Sequence, residues 1–292
     1  MAMNFPNAPT TGQLYPSPAV AGLPVYRWDG SEWTTQGVQP NRMPVYTDGS
    51  QAMAAQLTLV GDPVNPTDAA DKHYIDGRFS GLTHVLAIRV FDASGTYVPT
   101  AGMVKCIAEA VGGGSGGCGQ TGNAAYLMVA AGGGSGAYAR RLLTAAQIGA
   151  SQPIVIGVGG NGGPGGAVGA PGGDTTFGGS LLVAKGAPAP PSTLVGASGG
   201  PLAGCVGDVT QAGNPGFNGG QVPTGSTVFF GGQGANSVLG GGAIAQAMVG
   251  TTATGNNAFG PGGGGGGGAI GQAGGVAGGL GGAGRIIITE FG

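Results

Sequence analysis

Of the 70 glycines in this 292-residue chain, ten precede residue 111 and sixty follow it. Residues 111–292 are therefore about one-third glycine, against a usual share of roughly 7%. An ordered glycine loses roughly 0.5–1 kcal/mol more conformational freedom than alanine, and it brings no side chain to a core. An ordered state must recover that loss through close backbone approach and dense hydrogen bonding. Two backbone forms supply this: packed polyproline-II-type glycine strands, and tight glycine turns joining short β-strands. The cost is large enough that burial shared between subunits is expected, and a lone folded monomer is not.

The glycines do not fall at every third position, which excludes a collagen triple helix. The low charge (22 Asp, Glu, Lys and Arg, net −2) and positive mean hydropathy fit neither a disordered chain nor a phosphate-binding surface. Apolar stretches of membrane-spanning length are absent from the sequence. The start, Met1-Ala2-Met3-Asn4-Phe5-Pro6, has neither the basic end nor the apolar core of a secretion signal. Three widely spaced cysteines, Cys106, Cys118 and Cys205, leave room for a thiol or one disulfide but not for a disulfide scaffold.

Short apolar runs bounded by glycine read as strands: 103–111, 126–131, 153–158, 180–184, 227–230 and 285–291. Leu142, Leu143, Ala146 and Ile148 could share one helical face over 139–148. Gly112-Gly-Gly-Ser-Gly116 recurs as Gly132-Gly-Gly-Ser-Gly136, too few copies for a solenoid. The expected fold class is mainly β with glycine-rich connections.

The first 110 residues are organised differently. Tyr26-Arg-Trp-Asp-Gly-Ser-Glu-Trp33 places a hairpin dipeptide, Asp29-Gly30, between aromatic segments, so a small β-ribbon with an aromatic core is expected. After Pro63–Pro66, Thr67 or Asp68 can cap a helix. Ile75, Phe79, Leu82 and Leu86 follow with the a/d spacing of a short coiled coil, a neck that could set register between trimeric parts. The expected domains are 1–56, an attachment module; 57–88, a linker and helical neck; and 89–292, the glycine-rich domain.

Chemistry is sparse. His73 and His84 stand 11 residues apart without a partner cysteine, and no metal or cofactor is expected. Gly157-Val-Gly-Gly-Asn-Gly162 matches a dinucleotide fingerprint, but Gly163-Pro164 blocks the helix that motif needs. Asp174, Asp208 and Glu290 are too scattered to read as a carboxylate pair for glycoside cleavage, so no catalytic residue is assigned. Phe217, Asn218, Phe229, Phe230, Asn236, Asn256, Asn257 and Phe259 are loop aromatics and amides of the kind that bind neutral sugars by stacking and hydrogen bonding. They form the candidate contact surface.

A resemblance bears on these observations. The segment from Leu59 to Asp76, Leu-Val-Gly-Asp-Pro-Val-Asn-Pro-Thr-Asp-Ala-Ala-Asp-Lys-His-Tyr-Ile-Asp, resembles one that precedes or enters the trimeric shaft of many tailed-phage fibre proteins. Phe5 to Tyr15 with Tyr26-Arg-Trp-Asp-Gly30 and Trp33 is similar to N-terminal modules of phage tail proteins. From Val90 onward, the blocks Ala130–Arg140, Val158–Gly163, Gly173–Gly178 and Gly281–Glu290 resemble the glycine-rich C-terminal domain of tail fibres. The resemblance implies an elongated homotrimeric virion fibre, made in the host cytoplasm. Its N-terminal module would attach to other tail or baseplate proteins, and its distal domain would contact a bacterial surface glycan or protein. No nucleic acid, membrane insertion or catalysis is implied. A purely structural baseplate or tail-tip component and a polysaccharide depolymerase are the competing expectations.

Overall fold

The computed structural model describes residues 4–20, 23–36, 84–123, 125–224, 229–248, 252–271 and 274–292. The chain forms two compact units, Met1–Gly77 and Arg78–Gly292. Among the described residues it is mainly β.

The first unit contains an antiparallel sheet of β1 (Leu14–Tyr15), β2 (Val25–Trp28) and β3 (Trp33–Gln36). The Asp29-Gly30 signal is a turn, as expected. The Asp29 carboxylate accepts from the N–H groups of Ser31 and Glu32 at 2.7 and 2.8 Å, and these bonds hold its carboxyl below the usual range. Phe5 stacks on Trp33, touches Tyr15 and Tyr26, and Trp28 packs on Trp33 across the hairpin. These rings take the place of an aliphatic core.

The second unit begins with a β-sandwich. One layer is the sheet β13-β9-β6-β19-β4, from β4 (Val85–Phe91), β6 (Lys105–Val111), β9 (Tyr138–Thr144), β13 (Val209–Gln211) and β19 (Arg285–Phe291). The other is β12-β11-β10-β5, from β5 (Gly95–Tyr97), β10 (Gln152–Val155), β11 (Thr175–Phe177) and β12 (Leu182–Ala184). Between them lie Tyr97, Cys106, Leu143, Ile148, Ile154, Phe177, Leu182, Ile286 and Ile288. The fully buried Glu290 is satisfied in this core. Its carboxylate accepts from Tyr97 Oη at 2.8 Å and pairs with Arg89 Nε at 3.1 Å.

Two helical expectations meet a different structure here. Leu86, read as the last residue of the neck, lies in β4 and packs against the sandwich core, while Ile75, Phe79 and Leu82 lie outside the described residues. The helix expected over 139–148 is confined to α1 (Ala145–Ile148), capped by Thr144; residues 138–144 are β9, pairing with β6 along its whole length.

Beyond the sandwich the chain follows a different rule. Residues 112–119 run on from β6, and their N–H groups point in three directions in turn. Gly112, Ser115 and Cys118 donate to Ala137, Gly134 and Ala131. Gly113, Gly116 and Gly119 donate to Gly173, Ala170 and Ala167. Gly114 and Gly117 donate to Gly282 and Gly279. All these bonds are 2.9–3.0 Å. A period of three with no internal bond is the geometry of a polyproline-II helix. Three further segments donate back or accept: Gly160 and Gly163 bond to the carbonyls of Gly114 and Gly117, Ala187 to that of Gly113, and Gly265 and Gly268 to those of Ser115 and Cys118. The 112–119 rod is thus ringed by six others.

Segments 131–137 and 262–268 are its neighbours and each other's: Gly133 and Gly136 donate to Gly265 and Gly262 at 2.7 and 2.9 Å. These three mutually packed rods are buried throughout and hold the longest unbroken runs of glycine, alanine and serine. The repeated Gly-Gly-Gly-Ser-Gly block is one such rod beside another, and Ser115 Oγ accepts from Gly134 N at 2.9 Å. Outer rods have fewer neighbours; that of residues 158–164 bonds to 112–119, 167–173 and 278–281. They expose every third residue: Val158, Asn161 and Pro164 on one, Ala277, Leu280 and Ala283 on another.

The sequence argument required close backbone approach, and the structure provides it inside one chain. Most lattice glycines are required for space rather than for φ. A Cβ on Gly133 would fall under 3.0 Å from the Ser115 carbonyl, whereas one on Gly241 would meet only ordinary contacts. Gly133→Ala is expected to cost at least about 3 kcal/mol, the upper range for overpacking, and to lower the melting temperature sharply. Gly241→Ala should melt within a few degrees of wild type, and calorimetry on both variants checks the contrast.

Candidate functional site

The register of the rods fixes two ends of the second unit. At one end the chain enters and leaves: His84 and Gly292 exchange backbone hydrogen bonds at 3.1 and 3.2 Å beside the sandwich. The 112–119 rod starts there, at β6. Its other end leads to β7 (Gln120–Thr121), which pairs with β18 (Gly275–Val276). Around it at this far end lie β8 (Tyr126–Val129) with β14 (Gly220–Pro223) and β17 (Ala269–Ile270), and the hairpin of β15 (Phe229–Gly231) and β16 (Gln246–Met248).

The eight sequence-predicted contact residues are not gathered into one cluster. Phe229 and Phe230 lie in β15, at the far end. Phe217 and Phe259 are 61% and 69% exposed on separate flanking rods, bonded through their backbones to Gln233 and Gly241. The four asparagines are committed to the lattice instead. Asn218 Oδ1 accepts from Gly196 N at 2.9 Å, Asn236 Oδ1 from Gly242 N at 2.8 Å, and Asn257 Oδ1 from Leu280 N at 2.9 Å. Asn256 Nδ2 donates to Ile244 O at 3.4 Å. Asn214, which sequence reasoning passed over, does the same, donating from Nδ2 to Asn236 O at 2.8 Å. At the edge of the lattice a backbone group lacks a neighbouring rod, and an amide side chain supplies the missing partner.

The acidic groups are likewise engaged and separate. Asp174 pairs with Lys185 and accepts from Gly186 N; Asp208 Oδ2 accepts from Leu142 N at 2.8 Å; Glu290 is in the sandwich core. Asp92 forms a two-bond pair with Arg285 at 2.6 and 2.9 Å, which holds its carboxyl below the usual range. Among the described residues no three histidine, cysteine or acidic side chains converge as metal ligands would. The three thiols are free: Cys106 and Cys118 are buried, and Cys205 is half-buried. Burial pushes the Cys106 thiol up to about 11 and the Tyr138 phenol up to about 12. Both favour the fold in their neutral forms. Their contribution is complete below the ordinary values of 9.0 and 10.0 and is lost as pH rises towards 11 and 12.

The fingerprint-like Gly157–Gly162 segment is a lattice rod, with Gly160 N donating to Gly114 O and no helix after it. Sequence reasoning missed the outward positions Val158, Asn161, Val168, Pro171 and Leu280. The signal was there, as pairs of small residues followed by one larger residue. The chain matches no protein-family model and no curated protein sequence.

These assignments separate scaffold from surface. Asn236→Ala is expected to cost about 1 kcal/mol through the unsatisfied Gly242 N–H. Phe259→Ala should change stability by less than about 0.5 kcal/mol, as an exposed side chain does. Denaturant melts of the two variants distinguish these roles.

Proposed function

We propose that this chain is a non-enzymatic adhesin of a tailed-phage fibre, assembled as a homotrimer on the virion. Residues 1–56 attach it to other tail or baseplate proteins, and its glycine-rich domain contacts a glycan or protein on the bacterial surface. The observation that carries this reading is the layout of the second unit. His84 and Gly292 meet at the sandwich end, a rod lattice follows, and short strands with their loops lie at the opposite end. Loops carried on a rigid scaffold suit recognition, because they can vary without disturbing the lattice. The resemblance of 59–76 and of the glycine blocks to fibre proteins supports the same reading, and weak contacts multiplied over several fibres would give avidity.

Within this function the eight candidates divide. Phe229 and Phe230 at the far end, with Phe217 and Phe259 on the flanks, are the contact candidates, while the asparagines serve the scaffold. The engagement and separation of Asp174, Asp208 and Glu290 count against a depolymerase. Fluorescently labelled full-length protein is expected to stain host bacteria and to slow phage adsorption. Joint Phe229→Ala and Phe230→Ala substitution should reduce staining at least tenfold, and Asn161→Ala on a rod should leave it unchanged. A wild-type protein that neither stains host cells nor competes with phage would overturn the adhesin in favour of a structural tail component.

A further inference from the structure

The five-stranded sheet has two faces, and among the described residues the second sheet covers only one of them. Its inner face carries Ile286, Ile288, Glu290, Cys106, Ala108 and Leu143 into the sandwich. Its outer face can be read row by row from the strand register. Val90, Ile287, Glu109, Arg140 and Val209 stand side by side across the five strands. Ile88, Thr289, Ile107 and Leu142 form the next row, and Val85, Phe291, Lys105 and Thr144 the third. Eight of these positions are apolar, and Ile88 and Leu142 are 65% and 51% exposed. Five strands at about 4.8 Å spacing and roughly 20 Å of strand length make a face of about 400 Å², a size at which an exposed apolar patch usually marks a contact.

We propose that this face is where copies of the chain meet, which rests on the homotrimer in the proposed function. The glycine rods bond to one another within one chain, whereas this sheet face gathers large apolar side chains on one surface. The outer sheet face borders the point of chain entry, since β4 is both an edge strand and the first strand after residue 84.

Its charges suit packing around an axis parallel to the strands, where each residue meets neighbours at its own height. Glu109 on β6 and Arg140 on β9 are opposite in sign and share a row. A neighbouring copy then sets Arg140 against Glu109, and the rows holding Ile88, Ile107 and Leu142 close on one another. Burial of these side chains from three copies supplies the apolar contribution that glycine rods cannot.

Light scattering on the full-length protein is expected to give three chain masses. Ile88→Lys and Leu142→Lys, both at exposed positions, should each shift it to one chain mass while circular dichroism and melting of the second unit stay near wild type. A single-chain mass for the wild type overturns the proposal, including the case in which residues 37–83 of the same chain cover the face. Retention of three masses by both lysine variants overturns it equally. Cell staining by a single-chain variant separates the two readings: weakened but present staining leaves the adhesin standing even where the interface fails.

Discussion

One constraint governs the second unit: hydrogen bonds between backbones so close that a Cβ cannot fit between them. Each interior rod of three residues per turn directs successive N–H groups at three neighbours and receives bonds from three more. The pattern is two-dimensional, unlike that of a sheet, and every interior position but Cys118 is glycine, alanine or serine. The conformational freedom lost by glycine is set against dense hydrogen bonding between rods, together with close packing of the chain upon itself. The position of each element follows from this. The sandwich aligns the first rods through β6, β9 and β19, and the far loops occur where rods end.

The lattice explains why side chains elsewhere do work that is normally backbone work. An interior rod has six neighbours, but an edge rod has fewer, and asparagine amides fill the open valences at Asn214, Asn218, Asn236 and Asn257. Outer rods present one residue in three. Their exposed surface therefore follows the three-residue period, with Val158, Leu280, Phe217 and Phe259 among the exposed positions. By contrast, the outer face of the five-stranded sheet is continuous, as the pleat places alternate side chains of adjacent strands together. The short strands at the far end and the outer face of the five-stranded sheet thus lie at different places on one scaffold.

Much of the sandwich was legible. β6, β10 and β19 follow from valine- and isoleucine-rich runs bounded by glycine, and the Asp29-Gly30 turn follows from its dipeptide. The errors have physical causes. Leu86 completed an apolar spacing that also suits a coiled coil, but β4 recruits it by pairing with β19. The Arg140-Arg141-Leu142-Leu143 doublets hide the alternation of β9, because one arginine faces outward while the other reaches across to Leu181 O. The lattice was anticipated only as one of two alternatives. A test for glycine at one position in three excludes collagen, whereas these rods need small residues at two positions in three, or at all three in the interior. The asparagines were read as binding residues from their chemistry, and the lattice hydrogen bonds they also make become visible only once the rod edges are placed.

Amide hydrogen exchange of the full-length protein tests the lattice most directly. The account predicts that amides in 112–119, 131–137 and 262–268 exchange as slowly as those of β6 and β19, although these segments contain no α-helix or β-strand of their own. Peptides from the far-end loops should exchange much faster. Exchange of the three glycine runs at the rate of an unfolded chain, with protection confined to the sandwich strands, would contradict it.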